Sequence, residues 1–367
     1  YILADDLGYG DVGALNPACK IRTPSMDLLA RQGMKFTDAH SGSAVCTPTR
    51  YGVLTGRYAW RTRLQSGVCW GYSLPLIARE RMTVASMLKK NGYRTACVGK
   101  WHLGLEWTRK DPSILPNDSS NLKWDNFDFS KPIVSGPNQL GFDYFFGISA
   151  SLDMHPHVYI ENDRVTSVPT KIIKGNGGKA FWREGPIGDD FKHVEVLDKL
   201  TEKAVDFIGD QEPGEPFFLY FPLTAPHKPI IPSEKFLNRS GLNEWGDFVM
   251  QVDETVGAVM QAVEKKGLTD RTLIIVTSDN GMPFPRAKAN LYEYGIHMPL
   301  AIAWPTRVPA AQESDELVSL IDVTRSIFDA AQVTPMQEEE MSGRSLWPAI
   351  QKNAKPGYMH REFVFSG

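Results

Sequence analysis

Cys46 stands in the run Ala44-Val45-Cys46-Thr47-Pro48-Thr49-Arg50, which continues to Leu54-Thr55-Gly56. Pro48 near a first turn predicts a helix that opens at the cysteine. A thiol there faces free N–H groups and the positive end of the helix, a ready-made anion site. A lone cysteine is otherwise a small buried apolar residue, so its meaning depends on its company. Asp5-Asp6 follows the apolar run Tyr1-Ile2-Leu3-Ala4, and Asp279-Asn280-Gly281 follows Leu273–Thr277 in the same way. Either pair alone reads as turn residues. Together, at two strand ends, they offer three carboxylates and one amide. These hard oxygen donors suit Ca²⁺ or Mg²⁺ rather than a soft metal. Lys100 and His102 lie just past the strand-like Arg94–Val98. Alternate residues at a strand end face one side, so both can point into one site.

The elements that must position these residues alternate along the chain. Tyr1–Ala4 predicts a strand. Thr23-Pro24 opens a helix that Gly33 stops, and Thr83–Lys90 is a second helix, ended at Asn91-Gly92. Arg94–Val98 is a strand, Val196–Ile208 a helix, and Pro216–Phe221 a buried strand. Trp245–Lys266 carries apolar residues at helical spacing up to Gly267. Leu273–Thr277 and Leu300–Trp304 are strands, Leu317–Ala331 is a helix, and Glu362–Gly367 reads as a last strand. This alternation predicts an α/β sandwich around a large, mostly parallel sheet flanked by helices. In such a sheet, ligands gather at the carboxyl ends of strands. Residues Thr108 to Pro137 and Ser167 to Gly188 are polar and read as long surface insertions. Their aromatic residues Trp124, Phe127 and Trp182, with Trp107 beside them, suit sugar stacking or local packing equally.

The Cys46-x-Pro48-x-Arg50 string resembles the first signature of the type I sulfatases. Gly92-Tyr93-Arg94-Thr95-Ala96-Cys97-Val98-Gly99-Lys100-Trp101-His102-Leu103-Gly104 resembles the second. The resemblance runs from Tyr1 to Gly367. It implies an alkaline phosphatase-like α/β sandwich, with residues 1–367 forming one catalytic domain cut at both ends. The small C-terminal antiparallel subdomain of the family is then largely missing, only beginning near 355–367. The resemblance also implies that Cys46 is oxidised to formylglycine (3-oxoalanine) by a formylglycine-generating or anaerobic sulfatase-maturating enzyme. One divalent ion, Ca²⁺ ahead of Mg²⁺, would be held by Asp5, Asp6, Asp279, Asn280 and residue 46. In the family the hydrated aldehyde attacks sulfur while Arg50 helps fix it. Thr224-Ala225-Pro226-His227-Lys228-Pro229 resembles the segment whose histidine, here His227, protonates the leaving oxygen. Lys288, ahead of Tyr292-Glu293, grips a sulfate oxygen together with Lys100, and Arg286 is its nearby competitor. On the same resemblance His102 would deprotonate the second hydroxyl, so that sulfate is expelled. A Ser or His contacts substrate near this point in the family, and Ser151, after Gly141-Phe142-Asp143 and Gly147-Ile148-Ser149-Ala150, is the candidate here.

The substrate side is less uniform. Residues up to about His227 look like arylsulfatases and N-acetylgalactosamine-sulfate sulfatases, whereas Ser278–Tyr292 looks like the sulfamidases. The expected activity is hydrolysis of sulfate esters of carbohydrates or of aryl sulfates, with N-sulfated glucosamine as an alternative. A phosphatase or phosphodiesterase of the alkaline phosphatase superfamily is a further alternative, as is a binding relative with an unmodified Cys46. The first would need two zinc ions, for which the turns carry too few extra Asp and His residues. The chain has 367 residues, 42% hydrophobic and 23% charged, with a formal net charge of −3. That balance gives no nucleic-acid footprint, and no apolar run reaches the length of a membrane span. Four cysteines are too few for a disulfide framework. Asn117-Asp118-Ser119 and Asn238-Arg239-Ser240 fit the glycosylation pattern. The family resemblance implies a periplasmic, secreted or lysosomal protein.

Overall fold

Side chains alternate between two cores along each central strand, which is why these strands read as continuous apolar runs. On the strand Ile2–Asp5, Leu3 packs into one core while Ile2 and Ala4 pack into the other. Tyr220 parts from Leu219 and Phe221, and Cys97 from Ala96 and Val98, in the same way. The computed structural model describes residues 1–116, 123–212, 214–285, 287–351 and 358–367. Asn117-Asp118-Ser119, Arg286 and part of the expected C-terminal subdomain lie outside them.

The central sheet has 10 strands. Its middle consists of the mutually parallel neighbours Ile274–Ser278, Ile2–Asp5, Phe217–Pro226, Arg94–Lys100 and Tyr144–Ile148. Leu300–Ala303 and Met34–Phe36 add antiparallel pairings on one side, and Ile160–Glu161 and Arg164–Val165 on the other. Helices Pro24–Gln32, Val196–Gly209 and Glu244–Lys265 cover one face; Cys46–Thr55, Val84–Lys90 and Asp322–Ala331 cover the other. Because the middle strands run the same way, all their carboxyl ends open on one edge. Gly99 is tied to this edge. At its φ of +135°, an added Cβ would lie 1.9 Å from the Pro222 carbonyl oxygen, so only glycine fits before Lys100.

Several elements differ from the sequence expectation. The strand expected over Arg94–Val98 runs on to Lys100, making Lys100 its last residue. The strand expected over Pro216–Phe221 runs to Pro226, so His227 leaves a strand end rather than sitting in a free loop. The helix expected from Leu317 starts at Asp322, because Val318–Ser319 pairs with Ala39–His40 instead. Residues 362–367 form no strand. Ser366 Oγ donates to the Ser41 carbonyl at 2.6 Å and Gly367 N to the Gly42 carbonyl at 3.2 Å, laying this tail along the segment before Cys46. The insertions are anchored. Phe127 stacks on Tyr72 at 4.4 Å in the core, and Lys171–Ile173 pairs with Gly185–Ile187. Trp107 and Phe127 are buried packing residues, Trp124 meets His155 edge-on, and Trp182 stacks on His193 at 4.3 Å. Among the described residues, no helix is long and apolar enough to cross a membrane.

Candidate active site

The parallel edge delivers one functional segment per strand. Asp5 ends the first strand, and Asp279 N extends the neighbouring ladder by donating to the Ala4 carbonyl at 3.1 Å. Asp6 then turns through a φ of +68°, uncommon for a residue with a Cβ. Its amide donates to Asp279 Oδ1 at 3.2 Å. Asn280 Nδ2 donates to Asp6 Oδ1 at 2.7 Å. Asn280 Oδ1 is buried and has no partner among the described residues. All four side chains are fully buried or nearly so.

Cys46 is the first residue of the helix Cys46–Thr55, whose N-terminus has no side-chain cap. Its first amides are therefore open. The Cys46 Sγ lies 3.5 Å from Asp5 Oδ1 and 3.4 Å from Lys288 Nζ. Donor atoms of Asp5, Asp6, Cys46 and His227 all fall within 4.8 Å of one another. Burial, with Asp5 and Asp279 adding to it, pushes the thiol up to about 12 against the pull of Lys100 and Lys288. As a thiol, residue 46 stays protonated and offers no anionic nucleophile. The helix terminus suggested an anion site, and here burial outweighs it.

Cations surround the carboxylates. Lys100 Nζ sits 2.6 Å from Asp5 Oδ2 and donates to Ser151 Oγ at 3.2 Å. Lys288 Nζ sits 2.7 Å from Asp6 Oδ1. Burial opposes its charge, but Asp6 and Cys46 raise its pKa above the ordinary lysine value. The loop carrying Lys288 is fixed to the cysteine segment by Ala289 N donating to the Ala44 carbonyl at 2.9 Å. Arg50 is fully buried. Its Nη1 donates to the Lys100 carbonyl at 3.1 Å, and its Nη2 lies 3.5 Å from Asp5 Oδ1. Its other contacts are with Asp279. Arg50 thus braces the carboxylates from below. Asp5 is desolvated, which alone raises its pKa, yet Lys100, His227 and Arg50 hold it well below the usual carboxylate range.

Two histidines complete the edge. His227 Nε2 is 3.7 Å from Asp6 Oδ2, and its ring nitrogen Nδ1 is 3.3 Å from Ser151 Oγ. His102 has a φ of +55° and donates from Nε2 to the Cys69 carbonyl at 2.8 Å. That bond assigns the neutral tautomer and leaves Nδ1 a bare acceptor, buried without a partner among the described residues. Burial, then Lys100 and Arg50, depress its pKa well below the ordinary value. Thr47 connects it to the cysteine helix, donating to the His102 carbonyl at 2.9 Å and accepting from Cys69 N at 3.1 Å. Thr47 carried no signal beyond its place next to Cys46. Asp5, Asp6, Cys46, Arg50, Lys100, His102, Ser151, His227, Asp279, Asn280 and Lys288 therefore share one edge.

The family model described as Sulfatase matches residues 1–333. The chain belongs to the sulfatase family. Its sheet and two helical layers form the alkaline phosphatase-like sandwich of that family. This sulfatase is 34% identical to an N-acetylgalactosamine-6-O-sulfatase of Bacteroides thetaiotaomicron, over 89% of this chain and 71% of that protein. It is 28% identical to the N-acetylgalactosamine-6-sulfatase of Mus musculus, over 96% of this chain and 65% of that protein. A solved structure from work on glycosaminoglycan metabolism by Bacteroides thetaiotaomicron superposes with a TM-score of 0.83 at 30% identity. It covers 99% of this chain and 82% of the solved one.

Proposed function

We propose that residues 1–367 are the catalytic domain of a sulfatase that hydrolyses sulfate esters of carbohydrates, with aryl sulfates as simple substitutes. The observation that carries this reading is the convergence of Lys100, Lys288 and His227 on the Asp5–Asp6 pair beside Cys46. The donor set fits a divalent ion. Apart from residue 46 it consists of hard oxygens, and Asn280 Oδ1 is buried with no partner among the described residues. Asp5, Asp6, Asp279, Asn280 and residue 46 would hold Ca²⁺, with Mg²⁺ second, and the ion would supply positive charge against the sulfate oxygens. Formylglycine made from Cys46 by a maturating enzyme would supply, as its hydrate, the oxygen nucleophile that the protonated thiol lacks.

The remaining work falls to side chains already in place. A sulfate monoester repels nucleophiles through its own anionic oxygens, so charge must be cancelled first. Lys100 and Lys288 can turn their ammonium groups from Asp5 and Asp6 to those oxygens, in a site where little water weakens the attraction. Ser151, held by Lys100, offers a further hydroxyl to the sulfate. His227 lies on the same side and can give a proton to the departing sugar oxygen. His102, whose Nδ1 is an acceptor without a partner among the described residues, would take the proton of the second hydroxyl. Arg50 keeps the carboxylates in register and adds positive charge beneath them. We place this activity in a periplasmic, secreted or lysosomal setting, where sulfated glycans are met. Aldehyde-bearing protein should release sulfate from N-acetylgalactosamine 6-sulfate. No release from any sulfated sugar, with the aldehyde verified by mass, would overturn the proposal.

A further inference from the structure

Asp153 follows Ser151 closely, and Met154 N donates to the Ser151 carbonyl at 2.9 Å, turning the chain back at the edge of the site. Its side chain is only 9% exposed, and Oδ1 has no partner among the described residues. Oδ2 is held by Arg183 Nη1. Burial favours the neutral acid, but His227, Arg183, the Ser151 hydroxyl and Lys100 hold the carboxyl below its ordinary value. Asp153 is therefore an anion in electrostatic reach of the residues that handle sulfate. A buried carboxylate oxygen without a donor is costly, and buried polar atoms are nearly always paired.

Arg183 is held on every side. Its guanidinium lies 4.9 Å from the Trp70 ring centre and 5.0 Å from that of Phe181. Its amide donates to the Asp153 carbonyl at 2.9 Å, and its carbonyl accepts from His157 Nε2 at 2.8 Å. A Cβ on Gly185 would meet His155 Cβ at 2.3 Å, so the two segments approach more closely than other residues allow. The Arg183 side chain nonetheless keeps 30% of its surface exposed. A guanidinium has five N–H donors, and Nη1 alone meets a side-chain acceptor among the described residues. The structure thus sets a buried carboxylate oxygen, without a partner among the described residues, beside a guanidinium that keeps 30% of its side chain's surface exposed, both positioned by their own segments before any ligand arrives.

We propose that Asp153 and Arg183 read a pair of neighbouring hydroxyls on the sugar ring that carries the sulfate. This deepens the sulfatase reading and rests on it. One hydroxyl donates to Asp153 Oδ1, and the other accepts from Arg183. A uronate carboxylate or a second sulfate fits poorly, since neither brings a proton for Asp153 and both are repelled by it. The pair is a specificity device for a neutral diol.

The test is a calorimetric titration on Cys46→Ala protein, which binds without turnover. The probes are N-acetylgalactosamine 6-sulfate and inorganic sulfate. Asp153→Asn and, separately, Arg183→Met should weaken the sugar sulfate about 10- to 100-fold, as expected for losing a hydrogen bond to a charged group. Neither should weaken inorganic sulfate by as much, and Asp153→Asn, which removes a nearby anion, should not weaken it at all; retained binding also shows that the variants fold. Equal weakening of both probes, or no weakening of either, would overturn the hydroxyl pair while leaving the sulfatase reading intact. A parent that binds neither probe would overturn both. If one variant fails to fold, the other gives the same reading alone.

Discussion

Arg50 and Asp279 meet in the floor of the site, with Arg50 Nε at 3.0 Å and Nη2 at 2.7 Å from the single oxygen Oδ2. Both side chains are wholly buried. The remaining acceptors of Arg50 are the Lys100 carbonyl and Asp5. One planar guanidinium thus joins the strand ends that carry Asp5, Lys100 and Asp279. Arg50→Met should destabilise the fold by about 3–5 kcal/mol, because it strands a buried carboxylate. Arg50→Lys should not rescue it, since a point-like ammonium cannot span these acceptors. Urea denaturation measures both. A loss under 1 kcal/mol for Arg50→Met would contradict the bracing role.

Lys100→Met and Lys288→Met should each lower kcat by about 10²–10³-fold, the usual cost of removing one preorganised charge partner. The loss should appear in kcat more than in KM, because negative charge builds on the leaving oxygen as its bond to sulfur breaks and the nearby ammonium groups stabilise it. Steady-state kinetics on an aryl sulfate is the check. A change confined to KM would make the lysines simple binding groups.

Ca²⁺ should raise the melting temperature of the protein, since an ion that binds only the native state stabilises it, by about 2.7 kcal/mol at a hundredfold excess over Kd. The rise should vanish in Asn280→Leu, which removes the unpartnered amide oxygen while keeping the volume. Calorimetric scans with and without chelator measure it. A parent indifferent to Ca²⁺ and Mg²⁺ would contradict the ligand set.

His157 and His193 hydrogen-bond to each other, Nε2 of His193 at 3.1 Å from Nδ1 of His157. Burial is the main cause that depresses them, to about 4 and about 3 respectively. Their native forms reject protons that the unfolded chain binds below about pH 6.5. The stability tied to them is thus full above about pH 6.5 and is lost as pH falls towards their native values. At pH 5 the loss is up to about 2 kcal/mol for each. Denaturant midpoints at pH 7.5 and 5 should show a smaller drop for His193→Phe than for the parent. An equal drop in both would remove the pair from the acid response.

The site was legible where one strand end carries two functional residues in a row. Asp5-Asp6, Asp279-Asn280 and Lys100 could be read because parallel neighbours must end on the same edge. Their pairings could not, since Lys100 with Asp5 and Lys288 with Asp6 join segments far apart in sequence. Strand limits were set short at Phe221 and Val98. The runs to Pro226 and Lys100 include prolines and a glycine that usually end strands, and the two-sided burial of the sheet overrides that local preference. Asp153 and Arg183 were invisible. No motif contains them, and Arg183 lay within a stretch read as a surface insertion, whereas the pairing of Lys171–Ile173 with Gly185–Ile187 brings it back to the site.

On the proposed mechanism residue 46 works as an aldehyde. Sulfate release by protein whose residue 46 mass shows formylglycine should be compared with Cys46→Ala and Cys46→Ser on the same sulfated sugar. Turnover should be sustained for the aldehyde form, absent for Cys46→Ala, and limited to a single cycle at most for Cys46→Ser, since a sulfated serine has no hydroxyl left to expel sulfate. Steady-state turnover by either variant at the parent rate would contradict it.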